Sequence, residues 1–156
     1  METIASLTNR NAQTGMVQWI GLRPKRCDPV IATDSISILQ EGLEGDHYAS
    51  GGKRSVTLIQ YEHLAVIASM LGIPAIAPAD LRRNIVVSSV NLLGLRKRQF
   101  KIGNAILEGT GLCAPCSRME EIFGAGGYAA VRGHGGITAK IIQPGKVEIG
   151  DKLLPL

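Results

Sequence analysis

The stretch GITAKIIQPGKVEIGDKLLPL, residues 136–156, predicts that the chain is rich in β-structure. It consists of short runs of Ile, Val and Leu that are interrupted by turn residues, a pattern that is typical of strands. The pair Pro144-Gly145 in its middle is a common centre for a type II turn. We therefore predict two or three strands here, with a type II turn at Pro144-Gly145.

Strand patterns also occupy most of the sequence before this stretch. We predict strands, from their β-branched and aromatic content, over 15–22, 30–39, 55–60 and 81–90, and a hairpin over 98–111. A helix is predicted over 61–71, where Leu64, Ile67 and Leu71 recur at helical spacing and Gly72 can end the helix. Strands and helices do not alternate regularly, which excludes a doubly wound sheet. The prediction is a single domain over residues 1–156 with a mostly β (α+β) fold, a barrel or sandwich with a few short helices.

The charge of the chain is only modestly basic. It has 17 basic and 13 acidic residues and 4% aromatic residues, whereas a nucleic-acid-binding protein usually shows a dense basic face with interleaved aromatic side chains. We therefore expect no nucleic-acid partner. The basic residues form small groups, which are either solvated surface or convergent on a small anion such as a phosphate. These groups are Lys25-Arg26, Lys53-Arg54, Arg82-Arg83 and Arg96-Lys97-Arg98.

The cysteine count and the apolar segments bear on the cellular compartment of the protein. Three cysteines do not make a secreted disulfide framework. The first ten residues lack the apolar core of a signal peptide, and the longest apolar run is interrupted by Gly72 and Pro74. We expect a cytoplasmic protein with reduced thiols and no membrane partner.

The stretch GLCAPCSRMEEIFG, residues 111–124, places Cys113 and Cys116 three residues apart before a short predicted helix. Ser117 and Glu120 have the spacing of a capping box at the start of that helix. Cys116 would then lie just outside the helix N-terminus, where the partial positive charge and Arg118 favour a thiolate.

Four uses of this thiol pair are open from the residues alone. The pair can be half of a zinc site, although no second paired motif supplies the other half. It can be a redox dithiol, although the surrounding βαβ units of such proteins are missing. Both cysteines can be small buried apolar residues, or one of them can be a single reactive sulfur. The other candidate zinc ligands are Cys27, His47, His63 and His134.

A glycine-rich segment, FGAGGYAAVRGHGGITAK, follows the predicted helix at residues 123–140. Backbone N–H groups in such a loop can approach an anion closely. The segment matches no phosphate-binding fingerprint, so a simple connection between elements is an equal interpretation.

Four segments taken together resemble a known family. They are EGLEGDHYASGGKRSVTLIQYEHL, LRRNIVVSSVNLL, KIGNAILEGTGLCAPCSRMEEIF and RGHGGITAKIIQPGKVEIGDKL, at residues 41–64, 81–93, 101–123 and 132–153. In this order they are similar to MOSC domains, relatives of the C-terminal domain of molybdenum cofactor sulfurases, over residues 15–154. The resemblance implies a MOSC-type β-barrel and binding of the molybdenum cofactor (molybdopterin), a pterin dithiolene with a terminal phosphate or dinucleotide.

The resemblance also implies roles for individual residues. The characteristic cysteine of the family matches Cys116, which would be the catalytic sulfur, as a ligand of the metal or as a carrier of sulfane sulfur. His47 would lie near the site, whereas Asp46 is better interpreted as a turn residue. The residues expected to line the cofactor pocket are Lys53, Arg54, Arg83, Asn84 and Arg118.

Two functions follow from this resemblance. The chain would be either a sulfur carrier for molybdenum cofactor or a reductase of N-hydroxylated compounds. The first needs a cysteine desulfurase or a client molybdoenzyme as partner, and the second needs a separate electron-donor reductase. The alternative is a protein without pterin that uses Cys113 and Cys116 as a zinc site or redox dithiol. In that case both cysteines should matter equally, whereas the first interpretation makes Cys116 dominant.

Overall fold

A computed structural model describes residues 1–156 and contains ten strands and four short α-helices. Strands hold 34% of the residues and helices 22%, which confirms the mostly β prediction. None of the helices has the length and the apolar character that crossing a membrane requires. In chain order the elements are α1 (Ile4–Thr8), β1 (Gly15–Leu22), β2 (Ile31–Thr33), β3 (Ser35–Ile38), β4 (Val56–Gln60), α2 (Tyr61–Leu71), β5 (Ile85–Ser88), β6 (Gln99–Ile102), β7 (Ala105–Leu112), α3 (Arg118–Phe123), α4 (Gly127–Val131), β8 (Ile137–Gln143), β9 (Gly145–Glu148) and β10 (Lys152–Pro155), with 3-10 helices at Pro78–Leu81 and Leu92–Leu95.

Seven strands close into a barrel in the order β10-β6-β7-β8-β4-β5-β1, because β10 also pairs with β1. Strand β2 extends this sheet from β1, and β3 and β9 form a separate two-stranded sheet. Neighbouring barrel strands are antiparallel except β4 and β5, which run parallel. A parallel pair needs a long crossover connection, and α2 with the 3-10 helix at Pro78–Leu81 provides it.

The barrel interior is filled by aliphatic side chains and Phe100. Twenty-one buried residues form this cluster, and every barrel strand contributes at least one. The contributions alternate along the strands, as in Val56 and Leu58 or Ile85 and Val87, because successive side chains of a strand point to opposite faces.

A second core lies outside the barrel. Seven buried residues join the outer faces of β4 and β5 to the helices that cover them, among them Ile59, Val86, Ile67 and Met119. Burial on both faces explains why all five residues of β4 are inaccessible. The same packing holds α3, and with it the segment that carries Cys116, against the barrel wall.

The expected type II turn at Pro144-Gly145 is wrong. Gly145 lacks the positive φ that the third residue of such a turn needs. The strands on either side do not pair with each other; instead β9 leaves the barrel and pairs with β3. Glycine is required at this position because a β-carbon would lie 2.4 Å from the carbonyl oxygen of Asn104 in the β6–β7 turn.

Gly136 determines how the glycine-rich segment enters the barrel. It has φ of 87°, and a β-carbon on it would lie 1.9 Å from the carbonyl oxygen of Leu58 in β4. Gly133, three residues earlier, has φ of 85° with nothing near its missing β-carbon. The two glycines therefore share the same backbone constraint, and only Gly136 also has a steric one.

We expect Gly136→Ala to lower the free energy of unfolding by more than about 3 kcal/mol, because backbone strain and overpacking add at this site. Gly133→Ala is the matched control, and the left-handed backbone alone should cost it about 1 kcal/mol. Urea unfolding of both variants measures the difference. Equal losses would contradict the steric argument.

Candidate functional site

The two cysteines of the CAPC motif differ in their surroundings. Cys113 lies just beyond the end of β7 with 5% of its surface exposed, and its N–H donates to the carbonyl of Gly136 at 2.9 Å. Cys116 is exposed, and both thiols are free. The pair therefore presents one accessible sulfur to solvent.

Arg83 holds the segment that carries these cysteines. It is buried, and its Nε donates to the carbonyl of Gly135 at 2.8 Å. Its terminal nitrogens donate to the carbonyls of Leu81, Cys113 and Ala114 at 3.0, 3.3 and 3.1 Å. One guanidinium thus joins the 3-10 helix, the CAPC segment and the glycine-rich segment. These bonds direct Arg83 to backbone carbonyls instead of to open space.

Asn84, the next residue, belongs to a buried network at one end of the barrel. Its Oδ1 accepts from the N–H and the hydroxyl of Thr57 at 3.2 and 3.0 Å. Its Nδ2 donates to the carbonyl of Gly21 at 3.1 Å and to Oδ1 of Asp46 at 3.2 Å. Asn84 is fully buried, so the structure places it in the packing beneath the site.

Asp46 pairs with Arg23 in the same network. The Arg23 Nη2 lies 3.0 Å from Oδ2 of Asp46, whose side chain is 1% exposed. Burial acts to raise the pKa of Asp46, but the hydrogen bonds and charge of Arg23 and the N–H of Tyr48 outweigh it and hold this pKa below its usual value. The N–H of Asp46 also donates to the carbonyl of Leu43, which confirms its expected place in a turn.

Arg82 faces the opposite way from Arg83. It has a left-handed backbone with φ of 58°, and its side chain donates to the carbonyl of Asp28. Burial lowers its pKa, and the positive charges of Arg118 and Arg23 lower it further, while the thiols of Cys27 and Cys116 act in the other direction. Two further arginines and two exposed cysteines thus lie near enough to influence the pKa of Arg82.

A pocket of about 240 Å³ is lined by Arg82, Arg118 and Cys27. The Nη2 of Arg118 donates to the carbonyl of Cys27 at 3.3 Å. The Nε of Arg118 is buried and has no hydrogen-bond partner. The pocket therefore combines two cations with one accessible thiol. Its lining residues are Cys27, Pro29, Val30, Ala79, Asp80, Arg82, Arg118 and Ile122.

The structure does not bring the other predicted cations into this pocket. Lys53 and Arg54 are exposed, lie just before β4 and do not line it. The backbone carbonyl of Lys53 accepts a hydrogen bond from the hydroxyl of Thr110 in β7. His47 is exposed, and its Nδ1 lies 2.8 Å from the carbonyl oxygen of Arg23. His47 therefore contacts Arg23, one of the arginines that influence the pKa of Arg82.

The glycine-rich segment packs closely against the other side of the CAPC segment. A β-carbon on Gly135 would lie 2.3 Å from the carbonyl oxygen of Cys113, so close packing already accounts for this glycine. Between the two segments is a second pocket of about 280 Å³, which includes Cys113, Tyr128 and Arg132. No group of three or more His, Cys, Asp and Glu side chains in the protein is arranged to hold a metal ion, so the zinc interpretation gains no support.

The expected capping box at α3 is wrong. Ser117 has helical backbone angles, φ of −57° and ψ of −24°, and its side chain makes no capping hydrogen bond. The Glu120 carboxylate instead accepts from the N–H groups of Gly126 and Tyr128 at 3.1 and 2.9 Å. Glu120 therefore joins α3 to α4 because those N–H groups at the start of α4 have no other acceptor there.

Comparison with known proteins decides the family. A family profile for the MOSC domain matches residues 45–154, more than half of the chain. The chain belongs to the MOSC domain family. These domains are associated with the molybdenum cofactor and with sulfur-related functions.

Solved structures with the same fold support the barrel assignment. The YuaD protein from Bacillus subtilis has a TM-score of 0.81 at 20% identity, over 90% of this chain and 94% of that one. YiiM from Escherichia coli has a TM-score of 0.70 at 20% identity, over 90% and 69%. YiiM from Geobacillus stearothermophilus has 0.75 at 13% identity, over 91% and 75%. At these identities the likeness concerns the fold alone. No curated protein is similar enough to this MOSC domain to count as a match.

The sequence patterns do not assign Arg82, Arg23 or Cys27 to a cofactor site. From the sequence alone Cys27 is a candidate zinc ligand only, Arg82 is half of a basic doublet, and Arg23 carries no motif. The doublet was the available signal for Arg82, whose left-handed backbone and hydrogen-bond partners differ from those of Arg83. Deciding which of the two arginines faces solvent requires the fold.

His134 of the glycine-rich segment forms a pair with His63 of α2. The rings of His63 in α2 and His134 are 4.9 Å apart and nearly perpendicular. Nδ1 of His134 is buried without a partner. Burial lowers the pKa of His63, and the charge of His134 lowers it further, while Glu62 acts in the other direction.

We expect the Asp46–Arg23 pair to stabilise this MOSC domain in a pH-dependent way. Asp46→Asn should lower the free energy of unfolding by about 3 kcal/mol at pH 7, because it removes the buried carboxylate that pairs with the partly buried guanidinium of Arg23. The pKa of Asp46 is lower in the folded state, so the carboxylate's contribution is present above pH 3.8 and lost as the pH falls below it. Urea unfolding between pH 7 and pH 3 should show that the difference in free energy of unfolding between the wild type and Asp46→Asn becomes smaller as the pH falls. Asp34→Asn, at an exposed carboxylate without partners, is the control.

We expect His63 to destabilise the fold in acid. The pKa of His63 is lowered in the folded state, so the unfolded chain binds the proton first and stability falls as the pH drops through 6.5. His63→Gln should flatten this part of the profile, and His134→Gln should reduce its slope by removing the neighbouring charge. Thermal midpoints measured from pH 8 to pH 5 test this. Parallel profiles for the wild type and His63→Gln would contradict it.

Proposed function

We propose that this protein binds the molybdenum cofactor, with the anionic end of the cofactor in the Arg82 pocket and Cys116 as the sulfur that contacts the metal or carries sulfane sulfur. The observation that carries the proposal is the set of arginines at this pocket, Arg82 and Arg118, with Arg23 nearby. Arg118 Nε lacks an acceptor, and the lowered pKa of Arg82 follows from burial beside two further cations. A phosphate bound beside Arg82 and Arg118 would offset the repulsion between these two cations.

The size of the pocket agrees with this use. About 240 Å³ is below the roughly 300–1,000 Å³ that complete drug-sized ligands occupy. The pocket therefore suits the phosphate end of a larger ligand, and the rest of the ligand would extend over the exposed Cys116. Asp80 also lines the pocket, which places one carboxylate near the cations.

Individual residues of the chain would have different roles in binding the cofactor. Arg82 and Arg118 bind the anion, and Arg83 fixes the CAPC segment so that Cys116 faces outwards. A thiolate is a suitable ligand for a soft, sulfur-rich metal centre. When bound, the cofactor supplies a molybdenum centre that can exchange oxygen, sulfur and electrons. Lys53, Arg54 and Asn84 remain contacts that the family resemblance predicts. Because Asn84 is buried beneath the site, it would support the site from below.

Two versions of the function use the same site. As a sulfur carrier, Cys116 would receive sulfane sulfur from a cysteine desulfurase and pass it to the cofactor of a client molybdoenzyme. As a reductase of N-hydroxylated compounds, the protein would need electrons from a separate reductase. Sulfane sulfur trapped on Cys116, seen as a mass increase of one sulfur atom, would favour the carrier. Reduction of an N-hydroxylated substrate that is lost in Cys116→Ser would favour the enzyme.

We expect molybdenum to copurify with the wild type and with Cys113→Ala, and to be lost at least tenfold from Cys116→Ser. The reason is that Cys116 is the exposed sulfur of the CAPC pair, whereas Cys113 is buried. Elemental analysis of protein purified anaerobically from a host that makes the cofactor measures this. Equal loss in both variants, or stoichiometric zinc, would overturn the proposal.

The pocket is tested separately by the pterin content of the same preparations. Arg82→Gln and Arg118→Gln should lower the pterin fluorescence recovered after oxidative release. Arg26→Gln is the control, because Arg26 is an exposed cation on the same loop as Cys27 but does not line the pocket. Similar pterin content in all three variants would contradict the assignment of the anion to this pocket.

A further inference from the structure

Cys27 is a second accessible thiol at the Arg82 pocket. It is exposed and lies in the loop between β1 and β2, with a left-handed backbone at φ of 69°. This conformation is unfavourable for a residue that has a side chain. Its side chain lines the pocket beside Arg82 and Arg118. The loop thus holds a thiol in a strained and solvent-accessible position.

The segment that carries Cys116 contacts the Cys27 loop directly. Arg118 follows Cys116 by two residues, and its guanidinium donates to the carbonyl of Cys27 at 3.3 Å. Arg82 likewise donates to the carbonyl of Asp28, the residue after Cys27. Two hydrogen bonds therefore hold this loop against Arg82 and Arg118, and Arg118 is two residues from Cys116 in sequence. Cys27 and Cys116 both act to raise the pKa of Arg82, which agrees with their lying near the same side chain.

Cys113 is placed differently, although it is closer to Cys116 in sequence. It is buried and lines the pocket on the other side of the segment. Its N–H is bonded to Gly136, and its carbonyl to Arg83. A disulfide needs Cα atoms about 4.4–6.8 Å apart and a specific dihedral angle. Cys113 is buried and bonded at both backbone groups, whereas Cys27 and Cys116 are exposed.

We propose that Cys27, and not Cys113, is the redox partner of Cys116, and that the two thiols form a disulfide beside the Arg82 pocket when the protein meets a peroxide. The sulfur of Cys116 attacks one oxygen of hydrogen peroxide, which gives a sulfenic acid and one water. The sulfur of Cys27 then displaces the sulfenic oxygen, which leaves as a second water. In total the two thiols lose two electrons and two protons, and one peroxide is reduced to two waters.

The consequence for the site rests on the proposed function. A disulfide would remove the Cys116 sulfur and join the two sides of the pocket, so that oxidation and cofactor binding exclude each other. The disulfide itself does not depend on the cofactor. Protein from a host that cannot make the cofactor is therefore the material for the test, and failure of the proposed function would not affect the result.

The test uses peptide mapping of this protein. After treatment with hydrogen peroxide and alkylation of free thiols, trypsin cleaves after Arg26, Lys53, Lys101 and Arg118. Cys27 is then in peptide 27–53, and Cys113 and Cys116 are together in peptide 102–118. We expect the two peptides to be joined, with Cys113 alkylated and with the loss of two of the three thiols, reversed by dithiothreitol. A bridge within peptide 102–118, a disulfide between two chains, or oxygen adducts on Cys116 beside an alkylated Cys27 would overturn the proposal.

Variants separate this pair from general thiol reactivity. Cys113→Ala should keep the cross-link between the two peptides. Cys27→Ser should lose it and leave Cys116 to accumulate sulfinic acid, because the resolving thiol is gone. Loss of the cross-link in Cys113→Ala, with Cys27 and Cys116 still present and the protein folded by circular dichroism, would contradict the assignment.

Discussion

The functional end of this protein depends on the guanidinium of Arg83 and the backbone carbonyls that it binds. One buried side chain connects a 3-10 helix, the CAPC segment and the glycine-rich segment. The 3-10 helix lies outside the barrel, whereas the CAPC and glycine-rich segments are already joined by the hydrogen bond from Cys113 to Gly136. Hydrogen bonds from a charged donor contribute about 1.5–3 kcal/mol each, and unsatisfied buried carbonyls are costly. Arg83 therefore acts together with this bond and with the packing of α3 to position the segment that carries Cys116.

Three consecutive residues serve three different parts of the molecule. Arg82 lines the open pocket, Arg83 holds the segments around the cysteines, and Asn84 binds Thr57 and Asp46 below them. Positive charge is consequently divided between a buried structural use and an accessible one. The accessible part, shared with Arg118, is the part that suits an anion.

Local patterns predicted much of this fold correctly. The strand over 15–22 and the helix over 61–71 with its stop at Gly72 depend on neighbouring residues, and the structure confirms them. The type II turn at Pro144-Gly145 failed because β9 pairs with a distant strand, which no local pattern encodes.

The site was only partly predictable for the same reason. Cys116 and Arg118 lie within one short motif, which predicts both for the site. Cys27 and Arg23 come from the other end of the sequence and reach this region only through the closed barrel. Which of Arg82 and Arg83 is the more accessible cation is set by tertiary packing, which the doublet in the sequence does not encode.

The parallel pairing of β4 with β5 has a consequence for where chemistry can collect. In a purely antiparallel barrel, each strand that begins at a rim stands beside strands that end there. Here two neighbouring strands begin at the same rim, so the segments leading into both meet there, next to the exit of β1. Thr57, Asn84 and Arg23 come together for this reason. The shared direction of β4 and β5 thus brings polar side chains from three distant parts of the sequence together at one rim of this barrel.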